Sequence, residues 1–171
     1  MTYHSIAISG QIAAGTSTAA KNVSQKLNLK FESAGDFFRK YAIENDIPLY
    51  DKAQIPDNLD REMDKKLTAL AKSGGWVIDG HYIGYFTKDD PTVLKVLLNC
   101  KDDERYKRAL TRANPELKTD VKKREEGLDK KFRKLYADEN FLDPKYFNLV
   151  IDTTDIPQEE TAQKIIDKFN S

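Results

Sequence analysis

Apolar and polar positions along the chain alternate between two rhythms. Tyr3–Ser9 and Val93–Asn99 are near-continuous apolar runs of strand length, the pattern of strands covered on both faces. Trp76–Ile78 and Leu149–Asp152 are shorter runs of the same kind, and Lys30–Ser33 reads as a further short strand. Between them the period lengthens to that of a helix. Asp57–Ser73 carries Leu59, Met63, Leu67 and Leu70 at spacings of four, four and three, and Gly74–Gly75 ends it. Thr16–Leu27, Asp102–Arg112 and Asp36–Asn45, the last with Phe37, Phe38, Tyr41 and Ala42, are expected helices. Pro115–Tyr136 is helical and charged with little apolar stripe. Pro157–Phe169 puts Ala162, Ile165, Ile166 and Phe169 on one face, with Asp155 as its expected cap.

The order β-α-β-α-α-β-β-α-α-β-α predicts an α/β fold, a five-stranded parallel sheet with helices on both faces. Ligands of such sheets sit beyond the carboxyl ends of the strands. Ser9–Gly15, Ser33–Asp36, Asp79–His81 and Asp152–Asp155 all fall there, and this convergence of polar turns is the main functional signal. No repeat, low-complexity run or linker divides the chain, so residues 1–171 are expected to form one domain.

Composition narrows the field. The chain is 39% apolar and 33% charged, as in soluble globular proteins, and no run approaches the ~18 apolar residues of a membrane span. MTYHSIAIS enters a strand directly, without the basic start of a signal peptide, so a cytoplasmic protein is expected. Cys100 is the only cysteine, which excludes an internal disulfide, and two histidines beside it make a structural zinc site a poor reading. Net charge is zero, so neither nucleic acid nor membrane is an expected partner. The distribution is uneven: residues 101–134 hold 13 of the 28 Lys and Arg against 8 Asp and Glu. That excess fits a local anion site or a solvated helix face, and charge alone favours the second.

The chemistry concentrates in "IAISGQIAAGTSTAAKNV", Ile6 to Val23. An apolar run leads into Gly10, four residues, Gly15, Thr16 and Ser17, then a helix. This is the spacing of the phosphate-binding loop G-x-x-x-x-G-K-[ST], with Thr16 in place of lysine. Gly10 and Gly15 allow backbone angles closed to other residues, and Ala13 and Ala14 are small enough to let N–H groups approach phosphate oxygens at a helix N-terminus. Ser17 stands where the loop hydroxyl meets Mg²⁺. Taken alone, the stretch reads more readily as a plain strand-to-helix turn capped by Thr16.

Five further motifs, in order, remove that ambiguity. They are Ser33-Ala34-Gly35-Asp36-Phe37-Phe38-Arg39, Leu59-Asp60-Arg61-Glu62-Met63-Asp64, Ile78-Asp79-Gly80, Arg124-Glu125-Glu126, and Tyr146 through Thr154. With the loop Gly10–Thr18 they resemble, over nearly the whole chain, the archaeal-type cytidylate kinases, small nucleoside monophosphate kinases whose loop carries threonine at the lysine position. His81 departs from the family arginine. Leu128, Asp129, Lys130 and Lys131 depart from its arginine-rich lid.

The resemblance implies a three-layer P-loop kinase fold with a helical lid at about 113–137, and ATP-dependent phosphorylation of CMP or dCMP. It implies ATP and Mg²⁺ contacts at Gly10, Ala13, Ala14, Gly15, Thr16, Ser17 and Thr18, with Ser17 on the metal. It places Arg108 and Arg112 against the adenine and phosphates of ATP, and Ser33, Asp36, Arg39, Asp64 and His81 at the acceptor. Arg124, Arg39 and Asp79 are the expected catalytic residues, and a monomer is expected. Each has an ordinary alternative: a surface arginine for Arg39, helix caps for Ser33 and Asp79, a solvated i,i+4 face for Asp60 and Asp64, and solvated helix cations for Arg124, Lys130, Lys131 and Arg133. Two rival functions remain: a related kinase with another acceptor, such as AMP or a non-nucleotide hydroxyl, and a nucleotide-binding module without catalysis.

Overall fold

β1 (Ser5–Gly10) is buried along its whole length at the centre of a five-stranded sheet in the computed structural model, which describes residues 2–171. β2 (Lys30–Ser33), β3 (Trp76–Asp79), β4 (Val93–Asn99) and β5 (Leu149–Asp152) complete the order β2-β3-β1-β4-β5. Every pair is parallel. The register aligns Ile8 and Ser33 with Asp79, Gly10 with Leu98, and Asn99 with Asp152. The strands therefore end level, and the turns that follow them meet along one edge.

Helices cover both faces. α1 (Thr16–Leu27) and α7 (Gln158–Phe169) bring Val23, Ala162 and Ile165 onto Ile6, Ile8, Leu94, Val96 and Leu98. On the other face, α2 (Ala34–Glu44), α3 (Asp57–Ser73) and α4 (Ile83–Phe86) press Met63, Leu67, Ala71 and Ile83 against Ala7 and Ile78. Each buried Leu or Ile contributes about 1.5–3 kcal/mol, several times any single helix propensity. Packing, rather than intrinsic preference, therefore holds these helices.

α5 (Asp102–Leu110) and α6 (Lys118–Leu135) carry a third cluster. The apolar positions of α6 are few, but Val121, Leu128 and Phe132 share one face and insert among Tyr82, Tyr106 and Phe141. The Tyr82 hydroxyl donates to the Leu128 carbonyl at 2.8 Å. Ion pairs tie α6 further. Arg105, almost fully buried, donates to Glu125 of α6, to Asp102 and to the Ile12 carbonyl of the phosphate loop.

Two expectations need correction. α4 is absent from the sequence reading because its four residues are too few to display a period; Gly84 is buried there, and a Cβ on it would lie 2.2 Å from the Phe147 ring. Asp155 does not cap α7, which starts after Pro157 without a side-chain cap. The turn is stabilised instead by Asp152, whose carboxylate accepts from the Thr154 N–H and hydroxyl. Among the described residues, no helix is long and apolar enough to cross a membrane.

Candidate active site

The loop from Gly10 to Ser17 bridges β1 and α1. A Cβ on Gly10 would stand 2.5 Å from the Leu98 carbonyl oxygen and 2.8 Å from Thr16 Cγ2, so only glycine fits. Gly15 has φ 95° and Ala13 φ 65°, the left-handed turns that curl the chain around a concave pocket. No side chain caps α1, and Thr16 is its first residue rather than its cap. The first-turn N–H groups thus remain available at the positive end of the helix.

Asp79 ends β3 beneath this loop and is 5% exposed. Ser17 Oγ donates to Asp79 Oδ2 at 2.5 Å and Ser33 Oγ to the same oxygen at 3.1 Å. Burial raises its pKa, opposed by hydroxyl donors from Ser17, Thr16 and Ser33. Ser33 also accepts from the Asp36 N–H at 3.3 Å, so it caps α2 and holds Asp79 together. The Ser17 hydroxyl and the buried Asp79 carboxylate, which has no ion-pair partner among the described residues, form a hard oxygen pair that fits Mg²⁺. Among the described residues no cluster of three or more His, Cys, Asp or Glu forms a metal cage, so such an ion would complete its shell from phosphate and water.

Four cations surround the pocket above the loop: Lys21, Arg39, Arg112 and Arg124. Lys21, one turn into α1 from Ser17, has no motif to mark it in sequence. Arg39 Nη2 pairs with Asp36 Oδ1 at 3.0 Å and stays 30% exposed. Arg124 is not on a solvated face: its side chain is 17% exposed, and Nη1 donates to both oxygens of Glu116 at 2.8 and 2.9 Å. The other expected lid cations lie elsewhere. Arg133 pairs with Asp129 and Asp138 on the surface, and Lys130 is exposed. Lys131 is buried against Asp60 and the Ile55 carbonyl.

Beside this pocket lies a second, mostly apolar one, between α2, α3 and α6. Phe38, Ala42, Leu67, Ile83 and Leu128 supply its walls, and Lys52, Asp64 and His81 its polar groups. Lys52, also unmarked in sequence, sits 3.5 Å from the Phe38 ring centroid and 2.7 Å from Asp60 Oδ1. Asp60 is therefore not on a solvated face: it is 1% exposed between Lys52 and Lys131. Asp64 accepts from the Tyr136 hydroxyl at 2.6 Å. Burial, with Asp60 nearby, lifts its pKa to about 6, while the Tyr136 bond and the charges of Lys52 and Lys131 pull the other way.

A raised carboxyl has a defined linkage. Its neutral form stabilises the fold fully below the unfolded pKa, and that contribution fades as pH rises through about 6. Asp64→Asn, which keeps an acceptor for Tyr136, should therefore melt higher than wild type at pH 7–8, and the advantage should vanish at pH 4. Melting curves at both values check this; an equal gain at pH 4 would remove ionisation as the cause.

His81 lines both pockets. Its Nδ1 lies 3.2 Å from the Gly10 carbonyl, the geometry of a donor. Burial first, then the Arg124 charge, lowers its pKa to about 3, so the imidazole is neutral at pH 7.

On the far side of the loop a groove runs between Ala13, Gly15, Thr18, Arg108, Arg112 and Pro157. Arg108 donates to Thr153 Oγ1 at 3.2 Å and to the Thr153 carbonyl at 2.7 Å, which anchors its side chain in the wall of this groove. Thr153 Oγ1 in turn donates to the Ala14 carbonyl at 2.8 Å, tying the turn after β5 to the loop. Ala13, Gly15 and Arg112 belong to groove and phosphate pocket alike. Gly35, Arg39, Gly80, His81 and Arg124 belong to both phosphate and apolar pockets. The three hollows therefore adjoin one another around the loop, with these residues as common walls.

The profile of the family described as "AAA domain" matches residues 6–131. A cytidylate kinase of Methanosphaera stadtmanae is 30% identical over 168 residues, covering 94% of each chain. A cytidylate kinase of Sulfurisphaera tokodaii is 31% identical, covering 96% of this chain and 93% of its own. Among solved structures, shikimate kinase from Bacteroides thetaiotaomicron superposes with a TM-score of 0.64 at 15% identity, over 98% of each chain.

Proposed function

From a chain that belongs to the AAA-domain P-loop kinases, and among them to the archaeal-type cytidylate kinase family, we propose an enzyme that transfers the γ-phosphoryl group of ATP to CMP or dCMP. The observation that carries the reading is the row of adjoining hollows: a groove, a cationic phosphate pocket and an apolar pocket that share arginines as common walls. Phosphoryl transfer needs positioning and charge neutralisation far more than covalent chemistry, and no general base is required.

In this reading the nucleoside of ATP lies in the groove against Arg108. The loop N–H groups cradle its phosphates. Ser17 and Asp79 would hold Mg²⁺, which neutralises phosphate charge when bound. The acceptor nucleoside fills the apolar pocket, with Lys52, Asp64 and His81 as the polar groups around its base and sugar. Arg39 faces its phosphate from α2, and Arg112 and Arg124 flank the point of transfer. The residues 113–137 that include α6 close this end of the row and exclude water, which limits loss of the phosphoryl group to hydrolysis. A monomer suffices for this reading, because every group that it names belongs to one chain.

Losing a charge-assisted bond costs on the order of 1.5–3 kcal/mol. Arg39→Ala should therefore lower kcat/KM for the monophosphate roughly ten- to a hundredfold while the KM for ATP moves little. A reversed pattern would put Arg39 on the donor side.

A second reading keeps the kinase and changes the acceptor. His81 motivates it, because a neutral imidazole replaces the family arginine beside the acceptor pocket. Incubating the protein with ATP, Mg²⁺ and, separately, CMP, dCMP, UMP, AMP or shikimate decides among them by the ADP released. Release with CMP or dCMP is expected. Release with a different acceptor supports the second reading, and ATP binding without any release would leave a nucleotide-binding module.

A further inference from the structure

Arg112 and Arg124 come from separate positions, one just past α5 and the other inside α6, yet both end on a single carboxylate. Arg124 Nη1 meets Glu116 at 2.8 and 2.9 Å, and Arg112 Nη1 lies 3.5 Å from Glu116 Oε2. The Glu116 side chain is 8% exposed, although it belongs to the short connection between α5 and α6. Its N–H donates to the Ala109 carbonyl at 3.1 Å, which turns that connection inward. Both arginines face the phosphate pocket.

Two guanidiniums converging on a partly dry pocket repel each other, and each loses hydration. Burial, Arg124 and Arg39 all disfavour the charged form of Arg112, and Glu116 opposes them. A carboxylate between the two offsets this cost before any phosphate arrives. It engages Nη1 of each fork, and among the described residues no other partner takes the remaining guanidinium nitrogens, which can meet phosphate oxygens.

We propose that Glu116 is a positioning residue for phosphoryl transfer: it holds Arg112 and Arg124 as one preorganised pair at the transfer point. The inference rests on the kinase reading above. Donors held in advance act where charge redistributes in the transition state, so their loss falls on kcat more than on ground-state binding.

The test is kinetic. Glu116→Gln keeps shape and loses charge, and it should lower kcat about ten- to a hundredfold, with KM for ATP and for CMP within about threefold. Glu116→Asp keeps the charge one methylene short of both partners and should recover part of the rate. In an Arg124→Ala background, Glu116→Gln should cost far less than in wild type, because the pair it organises is already broken. A purely structural role would lower kcat by the same factor in both backgrounds, and that additivity would overturn the inference. Unchanged kcat in Glu116→Gln would overturn it too. Wild-type protein that turns over no acceptor defeats the kinase reading and this inference with it, and that result is visible before any variant is compared.

Discussion

Arg124→Ala is expected to lose about 10²–10³ in kcat, the cost of removing one preorganised transition-state donor, while affinity for ATP in the free enzyme changes far less. Thr16 stands where P-loop proteins carry lysine, so the loop supplies backbone N–H groups and a helix terminus but no point charge. Charge at the β- and γ-phosphates must come from other elements. Arg124 is the best-placed source, since its side chain lines both the phosphate and the apolar pocket and Glu116 holds it there without substrate. Lys21, Arg39 and Arg112 share the same pocket, but Arg39 and Lys21 lie 3.0 and 3.8 Å from the Asp36 carboxylate, on the α2 side where the reading puts the acceptor phosphate. Introducing Thr16→Lys into the Arg124→Ala variant should restore part of the rate, because the two charges act on the same oxygens. Steady-state kinetics of the two variants check this. Full activity in Arg124→Ala would move the role to Arg112.

Asp79→Asn should separate activity from stability. Turnover is expected to fall about a hundredfold, with a higher Mg²⁺ requirement, because the hard anionic oxygen beside Ser17 is gone. Stability should move the other way. Burial raises the folded pKa of Asp79 above its unfolded value. The group therefore favours the fold when protonated, and this contribution is lost as pH rises through the folded pKa. At any pH above the folded pKa the neutral amide avoids that loss, and it still accepts from Ser17 or Ser33. The variant should melt at or above the wild-type temperature. Scanning calorimetry beside a Mg²⁺ titration of the rate tests both halves. A lower melting temperature with full activity would make Asp79 a structural cap of its turn.

Much of this was legible in the sequence, for identifiable reasons. β1 and β4 are buried on both faces, so their apolar runs are unbroken. The parallel order followed from alternation with helices, and the loop from two glycines whose positions the backbone demands. Groups that depend on packing across the chain were not legible. Asp60 reads as one charge among many on a polar helix, and Lys52, from the turn before α3, and Lys131, from α6, enclose it. Glu116 lies in an irregular connection with no periodicity, and its inward turn depends on Ala109 and on two arginines. α6 shows too few apolar residues for its stripe to stand out, yet an aromatic cluster from three other segments receives them. α4 is shorter than any period that would reveal it.

The central claim is direct transfer between two substrates meeting over the loop, and ³¹P NMR of the protein with ATP, Mg²⁺ and CMP tests it most directly. CDP and ADP should appear in equal amounts from the first time point, with inorganic phosphate a minor product. ADP accompanied by inorganic phosphate instead of CDP would contradict the account.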